Sequence, residues 1–194
     1  MIEIHILTTR PHTVQFAIDS SPVIPRVISG MTIMKGREFA YNDGDSEKVS
    51  FIDDDDTSLL TKQKLFSLCD IATPALFTNS NRLVRRQTIP LNNPWIRTWS
   101  WELEKQKMIT PHQTMIIDRK LAIDITKLAI TEITEHQWDP GIFDYVFRVL
   151  ISKNIGWYYV NDVTYNWNVG VDSFTTNGQM KFIAARRHFF GDFK

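Results

Sequence analysis

Cysteine is almost missing: of 194 residues only Cys69 is one. That count excludes an intrachain disulfide framework and a cysteine-built zinc site, and a lone thiol fits a reducing compartment, where it packs as a small apolar side chain. Net charge is lacking too. The 22 basic and 22 acidic residues cancel, so no global attraction draws the chain to nucleic acid or an anionic membrane, and only local patches can do so. Long apolar runs are absent, none approaching the roughly 18 residues that span a bilayer. Met1-Ile2-Glu3-Ile4-His5 enters a strand pattern at once, without the basic stretch and apolar core of a signal peptide. A soluble, cytoplasmic protein with no membrane span is expected. Repeats and low-complexity segments are missing as well. With 43% hydrophobic residues, 8 Gly and 8 Pro, the chain suffices for one sizeable core, so one compact domain is expected.

What the sequence does have is Val49-Ser50-Phe51-Ile52 running straight into Asp53-Asp54-Asp55-Asp56. The apolar residues suit a buried strand. Four carboxylates cannot share its core and belong at its exposed carboxyl end, where ligands bind in an open α/β sheet. Crowded acids repel unless a cation or Arg and Lys groups neutralise them, and hard ions such as Mg²⁺ and Mn²⁺ take oxygen ligands and bridge to diphosphates. The stretch reads as a diphosphate and metal site. The plainer alternative is a solvated acidic turn, or an N-cap cluster for a helix beginning near Thr57-Ser58.

Around it the pattern alternates strand and helix. Ile2, Ile4, Ile6 and Leu7 predict a strand ending at Thr8-Thr9-Arg10-Pro11, and Val14 to Ile18 a helix closing at Asp19 to Pro22. Val23-Ile24 and Val27-Ile28 suggest a second strand interrupted by Pro25, and Lys35 to Tyr41 a helix. Asn42-Asp43-Gly44-Asp45 is a turn, and Asp43, Asp45 and Glu47 read as solvated acids. Past the tetrad we expect a helix over Thr57 to Cys69, then a hairpin of strands Ala72 to Thr78 and Arg82 to Ile89 about Asn79-Ser80-Asn81. Arg82, Arg85 and Arg86 are read as charges on an exposed strand ahead of a phosphate contact. Trp95 and Trp99 share a helical face, Trp99 and Trp101 a strand face; either supplies core, and exposed indoles stack on sugars or bases. Asp139 and Pro140 start a helix running to Leu150, with Asp144 four residues before Arg148. Strands over Gly156 to Val160 and Val163 to Val169, and a helix over Gln179 to Phe190, close the chain.

Arg37-Glu38-Phe39-Ala40-Tyr41-Asn42, an acidic linker, then Val49 to Asp56 resembles the family-2-type inverting glycosyltransferases of the GT-A fold, where such a helix precedes a strand tipped by Asp-x-Asp. The resemblance implies a Rossmann-related mixed central sheet flanked by helices. Residues 1–90 would form the donor half and 91–194 the acceptor half of one domain. It carries Asp53 and Asp55 over as the Asp-x-Asp pair, with Asp56 trailing. Thr8, Thr9, Arg10, Ser29, Arg37, Asn42, Asp53 and Asp54 become donor contacts, and Asp55, Asp53 and His188 metal ligands. Trp99 and His112 become acceptor contacts. Tyr165 to Ser173 is similar to a late aromatic and glycine segment of the family. Two departures stand. The acid that usually follows the second strand is replaced by Ser29-Gly30-Met31-Thr32, and the Glu-Asp pair whose second acid is the family's general base is absent. Asp144 is chosen as base over Asp139, which already serves as a cap.

The implied reaction moves a sugar from a nucleoside diphosphate to an acceptor hydroxyl with inversion, assisted by Mn²⁺ or Mg²⁺. Two acceptor classes stay open: a saccharide or lipid-linked glycan, and a hydroxylated base of viral DNA. A different class is a non-catalytic nucleotide, carbohydrate or divalent-metal binding module.

Overall fold

The computed structural model describes residues 1–10, 13–81, 96–99, 115–168 and 179–191, with the backbone alone at 96–99, 161 and 179–181. Three short strands open the chain: β1 (Ile2–Thr8), β2 (Arg26–Ser29) and β3 (Lys48–Asp53). β1 lies between the other two, parallel to both, with Leu7 opposite Asp53 and Thr8 opposite Ser29. This register sets the tips of all three at one edge. Parallel neighbours require crossovers, supplied by α1 (Gln15–Ser20) and α2 (Ile33–Asn42).

β4 (Thr57–Ser58), β5 (Ala75–Ser80), β6 (Ile96–Trp99), β7 (Met115–Asp118) and β8 (Trp157–Asn166) complete a mixed sheet in the order β2-β1-β3-β7-β5-β8-β4, with β6 also on β8. β7 runs antiparallel to β3 and β5, whereas β5 and β8 are parallel. Strand residues alternate between two cores. Val49, Phe51, Ala75, Phe77, Met115 and Ile117 face one helix layer, which holds α2, α4 (Arg119–Glu135), α5 (Phe143–Asn154) and α6 (Gln179–Phe190). Ile4, Ile6, Ile52, Leu76 and Ile116 face Ala17 of α1, Val14 just before it, and Leu65 and Leu68 of α3 (Lys62–Cys69). A sheet covered on both faces explains the near-continuous apolar runs of β3 and β7.

Arg119 staples the far edge. Its guanidinium donates to the carbonyls of Ser46, Ala40 and Tyr41 at 2.7, 3.0 and 2.9 Å and to Glu3 at 2.5 Å. Carbonyls at the end of α2, which have no partner within the helix, are satisfied in this way.

Several expected boundaries shift. Thr57–Ser58 is a strand rather than the start of a helix, and α3 begins at Lys62, capped by Thr61, whose side chain accepts from the Lys64 amide. The tetrad therefore caps no helix at Thr57. The second strand is Arg26–Ser29 alone, because Pro25 cannot donate to the ladder and Val23-Ile24 fall outside it. Asn79-Ser80 form no turn; β5 runs through them, both are buried, and Asn79 Nδ2 donates to Tyr159 Oη at 2.6 Å. The partner strand expected at 82–89 lies outside the described residues. The two late strands are one, β8, which bridges Asn161-Asp162 because pairings with β5, β6 and β4 hold it in succession. Ile96–Trp99 is extended, so this part of the Trp95 to Trp101 stretch is no helix. The cap at Asp139 is present: its Oδ1 accepts from the Gly141 amide at 2.7 Å, ahead of a 3₁₀ turn at Pro140–Ile142 that leads into α5. None of the described helices is long and apolar enough to cross a membrane.

Candidate active site

At the tip of β3 the four acids separate into two kinds. Asp54 and Asp56 are buried, 7% and 1% exposed, while the side chains of Asp53 and Asp55 stay 31% and 30% open. The strand alternation continues through the turn, and only two of the four acids face solvent.

Both buried acids are fully engaged. Thr8 Oγ1 donates to Asp54 Oδ2 at 2.6 Å, and Arg10 Nη2 donates to Asp54 Oδ1 at 2.6 Å and to Asp55 Oδ2 at 3.0 Å. The Arg10 amide closes back on Thr8 Oγ1 at 2.8 Å, which fixes the loop after β1. These carboxylates hold the Arg10 guanidinium firmly charged, through hydrogen bonds from Asp54 first and Asp55 second. On the other side Tyr165 Oη donates to Asp56 Oδ2 at 2.9 Å while accepting the Asp53 amide at 2.9 Å. The Asn168 amide donates to Asp56 Oδ1 at 2.6 Å, and Asn168 Nδ2 to the Asp55 carbonyl at 2.8 Å.

Burial, with the charge of Asp53 behind it, pushes Asp56 up to about 8. The folded state thus holds this proton more tightly than the unfolded chain, and linkage makes Asp56's contribution to stability fall as pH rises from about 4 to about 8. His5 acts oppositely: burial depresses it to about 4, so its contribution to stability rises with pH between about 4 and about 6.5. Between pH 6.5 and 8 the Asp56 effect stands clear. We expect the thermal midpoint of the parent to drop across that window and that of Asp56→Asn, which keeps the shape and removes the titration, to stay level; parallel melting curves of the two proteins at pH 6.5 and 8 would contradict this.

Arg37, only 2% exposed, brings the second half of the site into place. From α2 its Nε donates to Asp144 Oδ1 at 2.9 Å and its Nη2 to Asp144 Oδ2 at 3.3 Å. The same Nη2 stands 3.7 Å from Asp53 Oδ1, and the guanidinium lies 3.8 Å over the Phe51 ring. Burial opposes its charge, but the fields of Asp144 and then Asp53 outweigh that and hold it protonated. Asp144 sits in the first turn of α5, where a carboxylate is favoured by the helix dipole. Two acids 91 positions apart in sequence meet on one arginine.

Other expected residues are scattered. Thr9 and Ser29 are exposed at the tips of β1 and β2, on the edge that carries Asp53. Asn42 is not brought to the acids. α2 runs back across the sheet, so Asn42 lies next to Asp43, which pairs with Arg26 at the opposite end of β2, and its Nδ2 donates to the Glu38 carbonyl at 2.8 Å. His188 is not brought to them either. It lies on α6 against Glu132, His136 and Trp138, and the one group of three metal-ligating side chains among the described residues is Glu132, His136 and His188. Trp99 is placed on β6 by its backbone alone, and His112, Arg82, Arg85, Arg86, Trp95 and Trp101 lie outside the described residues. The clamp of Tyr165 and Asn168 on Asp56 was not foreseen; an acid that follows three others gives no sequence signal of being buried.

No family model matches the sequence, and no curated protein does. The strand order and the two helix layers define a GT-A-like fold, a mixed α/β sheet flanked by helices in one domain. Among solved structures the chain is similar to TarS of S. aureus. The 1–349 fragment with UDP superposes with a TM-score of 0.55 at 11% identity, covering 97% of this chain and 69% of that one. With UDP-GlcNAc the values are 0.57, 11%, 91% and 60%. In the structure of TarS that covers more of its length they are 0.52, 12%, 97% and 42%, so this chain spans less than half of that protein. At these identities the likeness is one of fold.

Proposed function

We propose that this chain is a glycosyltransferase that moves a sugar from a nucleoside diphosphate to an acceptor hydroxyl. The observation that carries the reading is the division of the tetrad: Asp53 and Asp55 open at the ligand-binding edge of the sheet, and Asp144 tied to Asp53 through Arg37. The UDP and UDP-GlcNAc complexes of TarS support it and make uridine diphosphate sugars the first donors to test.

The open pair fits a hard divalent ion, Mn²⁺ or Mg²⁺. Both donors are carboxylate oxygens, each side chain directs one oxygen toward a guanidinium, and about a third of each is open to solvent. Asp53 and Asp55 would hold the ion, which when bound neutralises charge on the leaving diphosphate. Arg10, 42% exposed beside Asp55, supplies fixed positive charge on the same edge. In this reading Thr9 and Ser29, exposed at the strand tips, contact the nucleoside. Asp144 accepts the proton of the acceptor hydroxyl as its oxygen bonds to the anomeric carbon; the bond from that carbon to the diphosphate oxygen breaks, and the nucleoside diphosphate leaves with the electron pair. One displacement inverts the anomeric centre. Asp139 is reserved for capping. The acceptor is a saccharide, a lipid-linked glycan or a hydroxylated base of viral DNA, and steep weakening of acceptor binding with salt would single out the DNA.

The test is turnover on a panel of nucleotide sugars with Mn²⁺. Asp55→Ala is expected to reduce it by a factor on the order of 10²–10³, the scale of losing one charge-stabilising group. Turnover of Asp55→Ala within tenfold of the parent would overturn the assignment, and Mn²⁺ binding by the parent without turnover on any donor would make the protein a binding module.

A further inference from the structure

α4 ends with Glu132 and, one turn later, His136, while α6 presents His188 to the same spot. The Nε2 atoms of both histidines lie 3.5 Å from Glu132 Oε2, and the two rings are 4.3 Å apart. One ligand atom from each of the three falls within 4.8 Å of the others. A tetrahedral ion bound at about 2.0–2.1 Å sets its ligands about 3.3 Å apart, so both carboxylate-to-imidazole separations are close to that spacing already.

The rings are also held in place. Trp138 stacks on His136 at 4.7 Å and meets His188 edge-on at 5.4 Å, and Phe189 packs on His188 at 5.0 Å. Trp138 is itself fixed by its amide on the Ile133 carbonyl at 2.9 Å, after a left-handed residue, Gln137, with φ 53°. Each of the three ligands is 29–39% exposed, which gives an ion a path in and leaves room for a water as fourth ligand.

We propose that Glu132, His136 and His188 form a metal site separate from the acidic tetrad, for Zn²⁺ or another first-row ion that prefers imidazole. Two nitrogen donors and one carboxylate suit such an ion and disfavour Mg²⁺ and Ca²⁺, which take oxygen. The bound ion fastens α6 to the last turn of α4, beside the Trp138-Asp139-Pro140 corner from which α5 and Asp144 begin. Nothing in this depends on the transferase reading.

The metal-free protein is titrated with Zn²⁺ by calorimetry, with Co²⁺ as a visible-absorption probe of an imidazole site. With saturating Mg²⁺ present to occupy Asp53 and Asp55, one equivalent is expected to bind. His136→Ala and His188→Ala are each expected to weaken it at least hundredfold and to abolish the Co²⁺ band, whereas Asp55→Ala binds as the parent does. Zn²⁺ at a hundredfold excess over its Kd raises the midpoint by about 5–10 °C in the parent and leaves it unmoved in the histidine variants. Each variant's metal-free midpoint is its own baseline, because truncation also removes ring contacts with Trp138 and Phe189; His136→Gln serves where alanine lowers it too far. Parent-like Zn²⁺ affinity in the histidine variants, or no stoichiometric binding by the parent, overturns the site.

Discussion

Arg37→Ala is expected to destabilise the protein by about 3–5 kcal/mol, the range seen when one partner of a buried ion pair is removed. That corresponds to a fall in midpoint of about 10 °C for a chain of this size. Arg37 is 2% exposed and meets two carboxylates, Asp144 at 2.9 and 3.3 Å and Asp53 at 3.7 Å. Without it Asp144 and Asp53 lose the buried guanidinium they share, and the Phe51 ring loses the cation packed over it. Arg37→Lys is expected to recover less than half of the loss, because an ammonium cannot donate to both Asp144 oxygens in the plane of a fork or stack flat on an aromatic face. The Asp144→Asn, Arg37→Met double substitution tests the cause: with one acid neutral and the cation gone, it should be more stable than Arg37→Ala alone. Urea denaturation of the four proteins measures this. A loss below about 1 kcal/mol for Arg37→Ala would mean that the arginine packs without anchoring the acids.

Asp144→Asn is expected to lower turnover by about 10²–10⁴, the usual worth of a positioned general base, while leaving donor affinity within about twofold of the parent. The separation of the two readouts is the point. Asparagine can still accept from Arg37 through its side-chain oxygen, so the join between α2 and α5 persists and the change falls on proton transfer. Asp139→Asn gives the control. Asparagine also caps helices well, so turnover and stability should both stay near the parent's. Were Asp144→Asn to turn over normally and Asp139→Asn to fail, the two acids would exchange roles.

These two acids show what was legible in the sequence. The strand alternation of Ile2, Ile4 and Ile6, the run at Val49 to Ile52, and the Asp139-Pro140 helix start gave the sheet edge and the start of α5, because each is written in a local pattern of period or cap. The tetrad was placed at the tip of β3 by the same kind of reasoning. The resemblance singled out Asp53 and Asp55, the two that stay open, but the burial of Asp54 and Asp56 is not written in the local pattern, since Thr8, Arg10, Tyr165 and Asn168, which engage them, come from up to 112 residues away. Asp144 was paired in sequence with Arg148, four residues on; the partner that ties it to Asp53 is Arg37, 107 residues away. Helix spacing finds neighbours along one element and is blind to contacts between elements. Asn42 and His188 enter the expected site through the resemblance alone, and the structure sets them away from the acids, Asn42 at the far end of α2 and His188 on α6 beside Glu132. The helix expected from Thr57 erred differently, because the acids before it cap nothing and the short pairing of Thr57–Ser58 with β8 takes those residues into the sheet.

The central claim is that Asp53 and Asp55 together present a divalent ion to a diphosphate. Calorimetric titration with UDP, in the presence and absence of Mn²⁺, tests it most directly in the parent and in Asp55→Ala. UDP affinity is expected to rise at least tenfold with Mn²⁺ in the parent and to be indifferent to Mn²⁺ in the variant. Equal UDP affinity with and without Mn²⁺ in the parent, or an undiminished Mn²⁺ effect in Asp55→Ala, would contradict it.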